Sequence, residues 1–298
     1  MSSAWRDRQE RGSRFAIELL IRIALGCGRT VCRTLLAPPI SLYFLATAPE
    51  ARAASRQFLS RALGREATFR EVFAHFRCFG TIMLDRLYLL TGRHDCLSID
   101  VEDERYLTEA LAKGRGCLLF GSHLGSFELM SVLGSAHKRL PINVVMHVPP
   151  GTSIHSMITA HGGGVPYRII PLGSPGAMMQ VKECLERNEV VGLLVDRVYG
   201  SEATCDVPFL GADARFSLAP YQLAGITGAP VVMAYGLFLG GNRYRVSFTP
   251  LAERIERDRG ARYDGVQPWV ERYVAGLEAR AREAPRNWFN FYDYWAHR

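Results

Sequence analysis

His123 and Glu128 are the two residues best placed by type and spacing to move a proton. They lie five apart in Gly121-Ser-His-Leu-Gly-Ser-Phe-Glu128, which follows the apolar run Gly116-Cys-Leu-Leu-Phe120. On one continuous helix a five-residue offset would separate the side chains by about 140°. To meet, the histidine must sit in a turn and the glutamate in the first turn of the helix after it. There the helix dipole keeps Glu128 ionised. An ionised carboxylate that holds one imidazole nitrogen leaves the other free as a base. Gly121 and Gly125 let the backbone turn and leave space beside the histidine, and Ser126 is of the type that caps a helix. The pattern is the orienting half of a catalytic triad without its serine, since Ser122 stands outside any G-x-S-x-G elbow.

The elements that must position this pair follow from periodicity. Residues 11–91 read as helical, with capping boxes at Thr47/Glu50 and Thr68/Glu71 and helices ending near Leu63 and Leu90. From residue 97 strands and helices alternate. Expected strands are Leu97–Val101, Gly116–Phe120, Ile142–Val148, Tyr167–Pro171, Val190–Asp196, Val231–Leu239 and Tyr244–Phe248. Expected helices are Asp103–Lys113, Ser126–His137, Thr152–Ala160, Ala177–Arg187, Leu218–Ile226 and Gln267–Glu283. Short apolar strands between amphipathic helices give an α/β fold. Its central sheet is mostly parallel or mixed and covered by helices. Residues 1–91 form a basic amphipathic N-terminal extension and residues 92–298 the α/β domain, together one structural unit. The carboxyl ends of strands in such a sheet are where ligands bind, which is where His123 falls.

The charge is uneven. The 298 residues carry a net +7, and residues 1–77, with 13 arginines and six acidic residues, account for all of it. Glu18, Arg22, Arg29 and Arg33 fall on one side of a helix, with Phe15, Leu19, Leu20, Ile23, Val31 and Leu35 on the other. The uncharged run from Thr34 to Pro49 holds two internal prolines and is short of the ~20 apolar residues a span needs. A basic helix lying in an anionic membrane surface fits, with Arg14, Arg22, Arg29 and Arg33 as its contacts. The interruption by charges excludes a secretory signal. Arginines interleaved with an apolar face, without a recognised motif, argue against nucleic acid. The run Phe216–Asn242, divided by prolines and glycines, reads as helix, turn and buried strand. Seven cysteines without a C-x-x-C pair or zinc spacing point to a reducing compartment, with no metal site and no cofactor. His155 and His161, flanking Gly162-Gly-Gly164, read as a surface turn.

Gly121–Glu128 resembles the H-x4-D/E block of glycerolipid-type acyltransferases. It is most similar to that of the bacterial lipid A biosynthesis acyltransferases, whose block runs close to H-x-G-N-W-E. Glu189-Val-Val-Gly-Leu-Leu-Val-Asp196-Arg197-Val-Tyr-Gly200, followed by Val207-Pro-Phe-Leu-Gly211, resembles that family's strand ending in Asp-Gln and its Pro-Phe-Phe-Gly segment. Ala219–Val232 resembles the helix and strand that come next. Phe127, Ser126 and Arg197 replace the usual Trp, Asn and Gln. The tail Pro285–Trp295 is more like a branch of the superfamily found near aryl polyene and other specialised-lipid pathways.

The resemblance implies transfer of a fatty acyl group from an acyl carrier protein or acyl-CoA thioester to a hydroxyl or amine of a lipid-type acceptor. It implies a peripheral or monotopic position on the cytoplasmic face of a bacterial inner membrane. His123 would be the general base and Glu128 its orienting carboxylate. Arg197 and backbone N–H groups near Gly125 would be donors to the oxyanion, with Ser126 beside them, and Asp196 would organise the loop to Gly211. Asp196-Arg197 also reads as a structural ion pair at a strand end. The terminal aromatics read either as pocket lining or as packing under the last helix. Two other functions share the pattern: a non-catalytic lipid-binding or scaffold relative, and a thioester hydrolase.

Overall fold

The computed structural model describes residues 14–129, 140–147, 158, 161, 167–258 and 260–296. Its chain opens with four helices. Helix α1 (Arg14–Cys27) stops at Gly28, whose φ of 81° no continuing helix can hold. Helix α2 (Arg29–Thr47) winds as a π-helix over Cys32–Leu36. Helix α3 (Pro49–Leu63) is closed by left-handed Gly64, and α4 (Phe69–Leu90) is opened by the Thr68/Glu71 capping box, both sides of which form. Where the Thr47/Glu50 box was expected, the N-cap is Ala48 and carries no side-chain cap bond. The Thr47 hydroxyl bonds back to the Tyr43 carbonyl at 2.9 Å, and Pro49 starts α3 with Ala48 before it. Proline at the first helical position has its φ preset and no N–H to satisfy, so no side-chain cap is needed.

The sheet is built from β1 (Ser98–Glu102), β2 (Cys117–Gly121), β3 (Ile142–Met146), β4 (Arg168–Pro171), β5 (Val190–Leu194), β8 (Val231–Gly240) and β9 (Arg243–Ala252). Their order is β1-β9-β8-β2-β5-β3-β4, and every neighbouring pair is parallel except β8 with β9. Helices α5 (Arg105–Leu111), α6 (Ala177–Glu186), α7 (Ala219–Thr227) and α8 (Gln267–Glu283) complete the α/β layers. The expected strands at Leu97, Gly116, Ile142, Tyr167, Val190, Val231 and Tyr244 all form, within a few residues of their expected ends. The helices expected at Ser126–His137 and Thr152–Ala160 lie largely outside the described residues.

One element has no counterpart in the expected pattern: the hairpin β6 (Thr204–Phe209) and β7 (Ala212–Ser217). Its two-residue turn puts both Leu210 and Gly211 at positive φ, 52° and 80°. That is the twist a tight hairpin needs, although leucine is a poor residue for it. The buried Leu210 is held there by its N–H to Glu278 Oε2 at 2.6 Å.

The core lies on both faces of β2 and β5. Leu118, Phe120, Val191 and Leu193 join Phe58, Leu59 and Phe76 from α3 and α4 in one cluster. Leu119, Val190, Val232 and Val246 join Ile21, Ile82 and Leu90 in the other. The N-terminal helices therefore share the core of the sheet.

The assignment of all four N-terminal arginines to a membrane surface needs correction at Arg29. It is buried, and its guanidinium grips Asp85 with two bonds of 2.6 and 2.7 Å while also donating to the Gly241 carbonyl at 3.0 Å. Tyr244 donates to the same carboxylate at 2.6 Å. The break at Gly28 resets the helical phase, so residues before and after it do not share one face. Arg22 pairs with Glu18 on the exposed side of α1 at 3.2 Å, and Arg33 lies 5.9 Å over the Phe238 ring. Arg14 begins α1, and its side chain lies outside the described ones. Leu19, Leu20, Val31, Leu35, Leu42 and Tyr43 are exposed. Among the described residues no single helix is long and apolar enough to cross a membrane. Helices α2 and α3 would pass only as a pair bent by 101°.

Candidate active site

Two neighbouring parallel strands deliver the site. In the β2–β5 register Gly121 sits opposite Leu194. Two residues beyond each strand end come His123 and Asp196, which therefore arrive side by side. His123 Nδ1 meets Asp196 Oδ1 at 2.8 Å, and the His123 N–H donates to Oδ2 at 3.0 Å. The fully buried Asp196 also accepts from Trp288 Nε1 and Asn290 Nδ2, both at 3.0 Å, and its own carbonyl accepts from Tyr294 Oη at 2.7 Å. A carboxylate taking this many N–H bonds is fixed as the anion. Burial alone would raise its pKa. Attraction to the His123 imidazole, the hydrogen bonds from that residue and the charge of Arg197 overcome that, and the net shift is strongly downward.

His123 keeps about a fifth of its side chain exposed, 22%. Its Nε2 has no hydrogen-bond partner among the described residues. The imidazole pKa is lowered, first by burial and then by the Arg197 charge, against the opposing pull of Asp196 and, least, of Glu128. A neutral imidazole with Nδ1–H donating to Asp196 presents a lone pair at Nε2.

Sequence reasoning gave the orienting task to Glu128. In the fold the carboxylate on Nδ1 is Asp196, and Glu128 is turned elsewhere. Glu128 Oε1 pairs with Arg86 Nε at 2.8 Å and Oε2 accepts from Ser126 Oγ at 3.3 Å. The buried Ser126 thus bonds Glu128 with its side chain and the Gly236 carbonyl with its N–H, 2.8 Å.

The turn is fixed by close backbone approaches. Gly125 stands at φ 75°, and a β-carbon there would lie 1.9 Å from the Gly236 carbonyl oxygen. The reciprocal contact, Gly236 to the Ser126 carbonyl, would be 2.2 Å. Only glycine fits such a crossing. This also removes the Gly125 N–H from the candidate oxyanion donors, because it is spent on the Asn287 carbonyl at 2.8 Å. Phe127 seats its ring on Gly121 and Gly192, where an added β-carbon would come within 2.8 and 2.6 Å of ring atoms.

The C-terminal tail is the part of the site that sequence reasoning placed least well. Of its two readings, the structure shows packing. Trp288 pairs with Leu124 across an isolated bridge, and the Phe289 N–H donates to the His123 carbonyl at 2.8 Å. Trp288 Nε1 and Asn290 hold Asp196. Asn290 Oδ1 accepts from Arg197 Nε at 2.6 Å, and the Phe289 carbonyl accepts from Nη2 at 3.1 Å. Behind the tail, Nε2 of the buried His75 meets the Trp288 carbonyl at 2.9 Å, and its Nδ1 meets Ser55 Oγ at 2.8 Å. The polar residues interleaved among the tail aromatics, Asn287 and Asn290, were the available signal.

A cavity of about 520 Å³ opens beside the turn. Phe127, Glu128, Leu194, Arg197, Tyr199 and Leu223 line it, and most of the remaining wall is apolar. None of the tail aromatics contributes to it. Ser122 is buried and its hydroxyl has no partner among the described residues. His161 pairs with Glu18 at 2.9 Å, and His155 lies outside the described residues. No cluster of potential metal ligands occurs among the described residues.

The chain belongs to the bacterial lipid A biosynthesis acyltransferase family, whose model matches residues 43–296. Membership makes acyl transfer in lipid biosynthesis its class of activity, with an acyl donor and a lipid acceptor. No curated protein sequence matches the chain.

Proposed function

We propose that the protein transfers a fatty acyl group from a thioester, carried on acyl carrier protein or coenzyme A, to a hydroxyl or amine of a lipid-type acceptor. The observation that carries this reading is the His123–Asp196 pair at the carboxyl ends of β2 and β5, with Nε2 unpartnered among the described residues and a mainly apolar cavity lined by the neighbouring Phe127, Glu128 and Arg197. Nε2 takes the acceptor's proton as the acceptor oxygen or nitrogen attacks the thioester carbonyl carbon. Asp196 stabilises the imidazolium that forms. The tetrahedral oxyanion collapses, the C–S bond breaks, and the thiolate leaves with the proton returned from Nε2. The products are an ester or amide and a free thiol, and no acyl-enzyme is needed.

Arg197 lines the cavity, and after burial its charge is the second cause of the lowered imidazole pKa of His123. Held by Asn290 and the Phe289 carbonyl, it sets a positive charge near a developing oxyanion. Glu128, which lines the cavity, favours the imidazolium through its field rather than by a hydrogen bond, and pairs with Arg86. The 520 Å³ cavity is within the size range of small-molecule sites, and its apolar wall suits an acyl chain.

The exposed Leu35, Leu42 and Tyr43 of α2 are the face we assign to a membrane surface, with the exposed Arg22 of α1 nearby in sequence. That face and the family support a membrane association, which we assign to a peripheral position on the cytoplasmic side of an inner membrane.

The test is mass spectrometry of lipids from cells carrying the wild-type chain or His123→Ala, with free fatty acid measured alongside. A product lost in His123→Ala supports transfer. Fatty acid release that is independent of any acceptor makes the protein a hydrolase, and an unchanged lipid profile makes it a non-catalytic relative.

A further inference from the structure

A second cavity, of about 680 Å³, lies between α2, α4, the end of β8 and the turn after α8. It shares no lining residue with the cavity lined by Phe127 and Glu128. Leu59, Leu63, Phe238 and Leu239 give it an apolar interior, and Arg33, Arg70, Arg77 and Arg286 surround that interior with cations. Arg70 and Arg77 are two turns apart on α4, on one face and about 10 Å apart along the axis.

Two carboxylates also line the cavity, but arginines that do not line it have already taken them. Glu71 is held by Arg65 at 2.5 Å and closes the α4 capping box. Glu283 lies between Arg245 and Arg280 at 2.5 and 2.7 Å. Among the described residues, no carboxylate pairs with Arg33, Arg70, Arg77 or Arg286. Like charges also crowd here: the Arg33 pKa is lowered by burial first, then by Arg29 and Arg77. Burying or gathering cations without a counter-charge is costly, and an anion seated among them removes that cost.

We propose that this cavity binds the phosphate group of an anionic lipid, the arginines holding the phosphate and the apolar interior its hydrocarbon. The cavity matches an amphiphile in both of its parts. Helix α2, which supplies Arg33, also exposes Leu35, Leu42 and Tyr43, at 66%, 53% and 62%. An acidic carrier protein could meet the rim through its carboxylates, and it is therefore titrated as a competing occupant. The site does not involve His123, so it stands or falls apart from the acyl-transfer reading.

The experiment is calorimetric titration of the full chain with dihexanoyl phosphatidic acid below its micelle concentration. Inorganic phosphate and acyl carrier protein are titrated in parallel. Wild type and His123→Ala bind the lipid equally. Arg70→Gln/Arg77→Gln weakens binding ten-fold or more, as expected for losing two charge-assisted contacts, and Arg77→Lys alone weakens it less than Arg77→Gln. Melting followed by circular dichroism checks that the variants fold. If the double variant does not, Arg286→Gln, exposed in a terminal turn, should lose three-fold or more. Three results overturn the proposal. They are unchanged lipid affinity in a folded arginine variant, inorganic phosphate binding as tightly as the lipid, and a loss confined to the carrier protein.

Discussion

Replacing Asp196 by asparagine separates the proposed base from its support without changing side-chain size. The carboxylate accepts one bond at Oδ1, from His123 Nδ1, and three at Oδ2, from the His123 N–H, Trp288 Nε1 and Asn290 Nδ2. An amide has only one oxygen. If its NH2 faced the Oδ2 position, three donors and the amide hydrogens would oppose each other in a fully buried place. At about 1–3 kcal/mol per unsatisfied group, that arrangement costs upwards of roughly 3 kcal/mol. The amide oxygen therefore takes the Oδ2 position and the NH2 faces His123 Nδ1. Nδ1 must then accept, the proton moves to Nε2, and the base is lost in its resting tautomer.

The expected loss in kcat is about 10³–10⁴, in line with what a wrong tautomer costs a histidine base. Exchanging charged for neutral acceptors destabilises the fold by roughly 2–4 kcal/mol. The assays are acyl transfer with a defined thioester and lipid acceptor, urea unfolding, and nitrogen NMR of the imidazole, which reads the tautomer directly. Glu128→Gln should lower activity by about 10–100-fold through Arg86 and the field on the imidazolium, with the tautomer unchanged. A folded Asp196→Asn variant with near wild-type activity and Nδ1–H intact refutes the assignment of Asp196.

Arg29→Ala should destabilise the chain by about 3–5 kcal/mol in urea unfolding, because it leaves Asp85 buried without its cation. A membrane-facing arginine would cost almost nothing. Burial pushes the His75 pKa down to about 4 against the partial support of the Trp288 carbonyl. Between pH 6.5 and 4 the unfolded chain therefore binds the extra proton, and stability falls by roughly 3 kcal/mol as pH drops through that window. The difference in urea midpoint between wild type and His75→Asn across that range measures this contribution. Gly125→Ala should abolish activity and lower the melting temperature, since its β-carbon would overlap the Gly236 carbonyl. Leu35→Asp/Leu42→Asp should reduce co-sedimentation with anionic vesicles while leaving the melting temperature unchanged, because both side chains are exposed.

The sequence by itself determined most of the elements and singled out the histidine proposed as the base. Apolar runs of four to eight residues flanked by turn residues marked the sheet strands, because a buried parallel strand must be apolar on both faces. The Thr68/Glu71 cap and the Gln267–Glu283 helix were legible because their signals lie within one turn of chain. His123 stood out because a histidine between glycines after a buried strand has few structural uses. The tertiary structure alone decided which carboxylate serves it. Local spacing favoured Glu128, five residues away. Asp196, 73 residues away, wins because β5 lies beside β2 in a register that no local pattern encodes. The same holds for Arg29, whose partner Asp85 is 56 residues distant, and for the tail, whose Trp288 and Asn290 reach back to the strand ends. Side-chain periodicity reports which face is buried. It carries no information about which distant group waits there, and that depends on strand order and on the phase reset at Gly28.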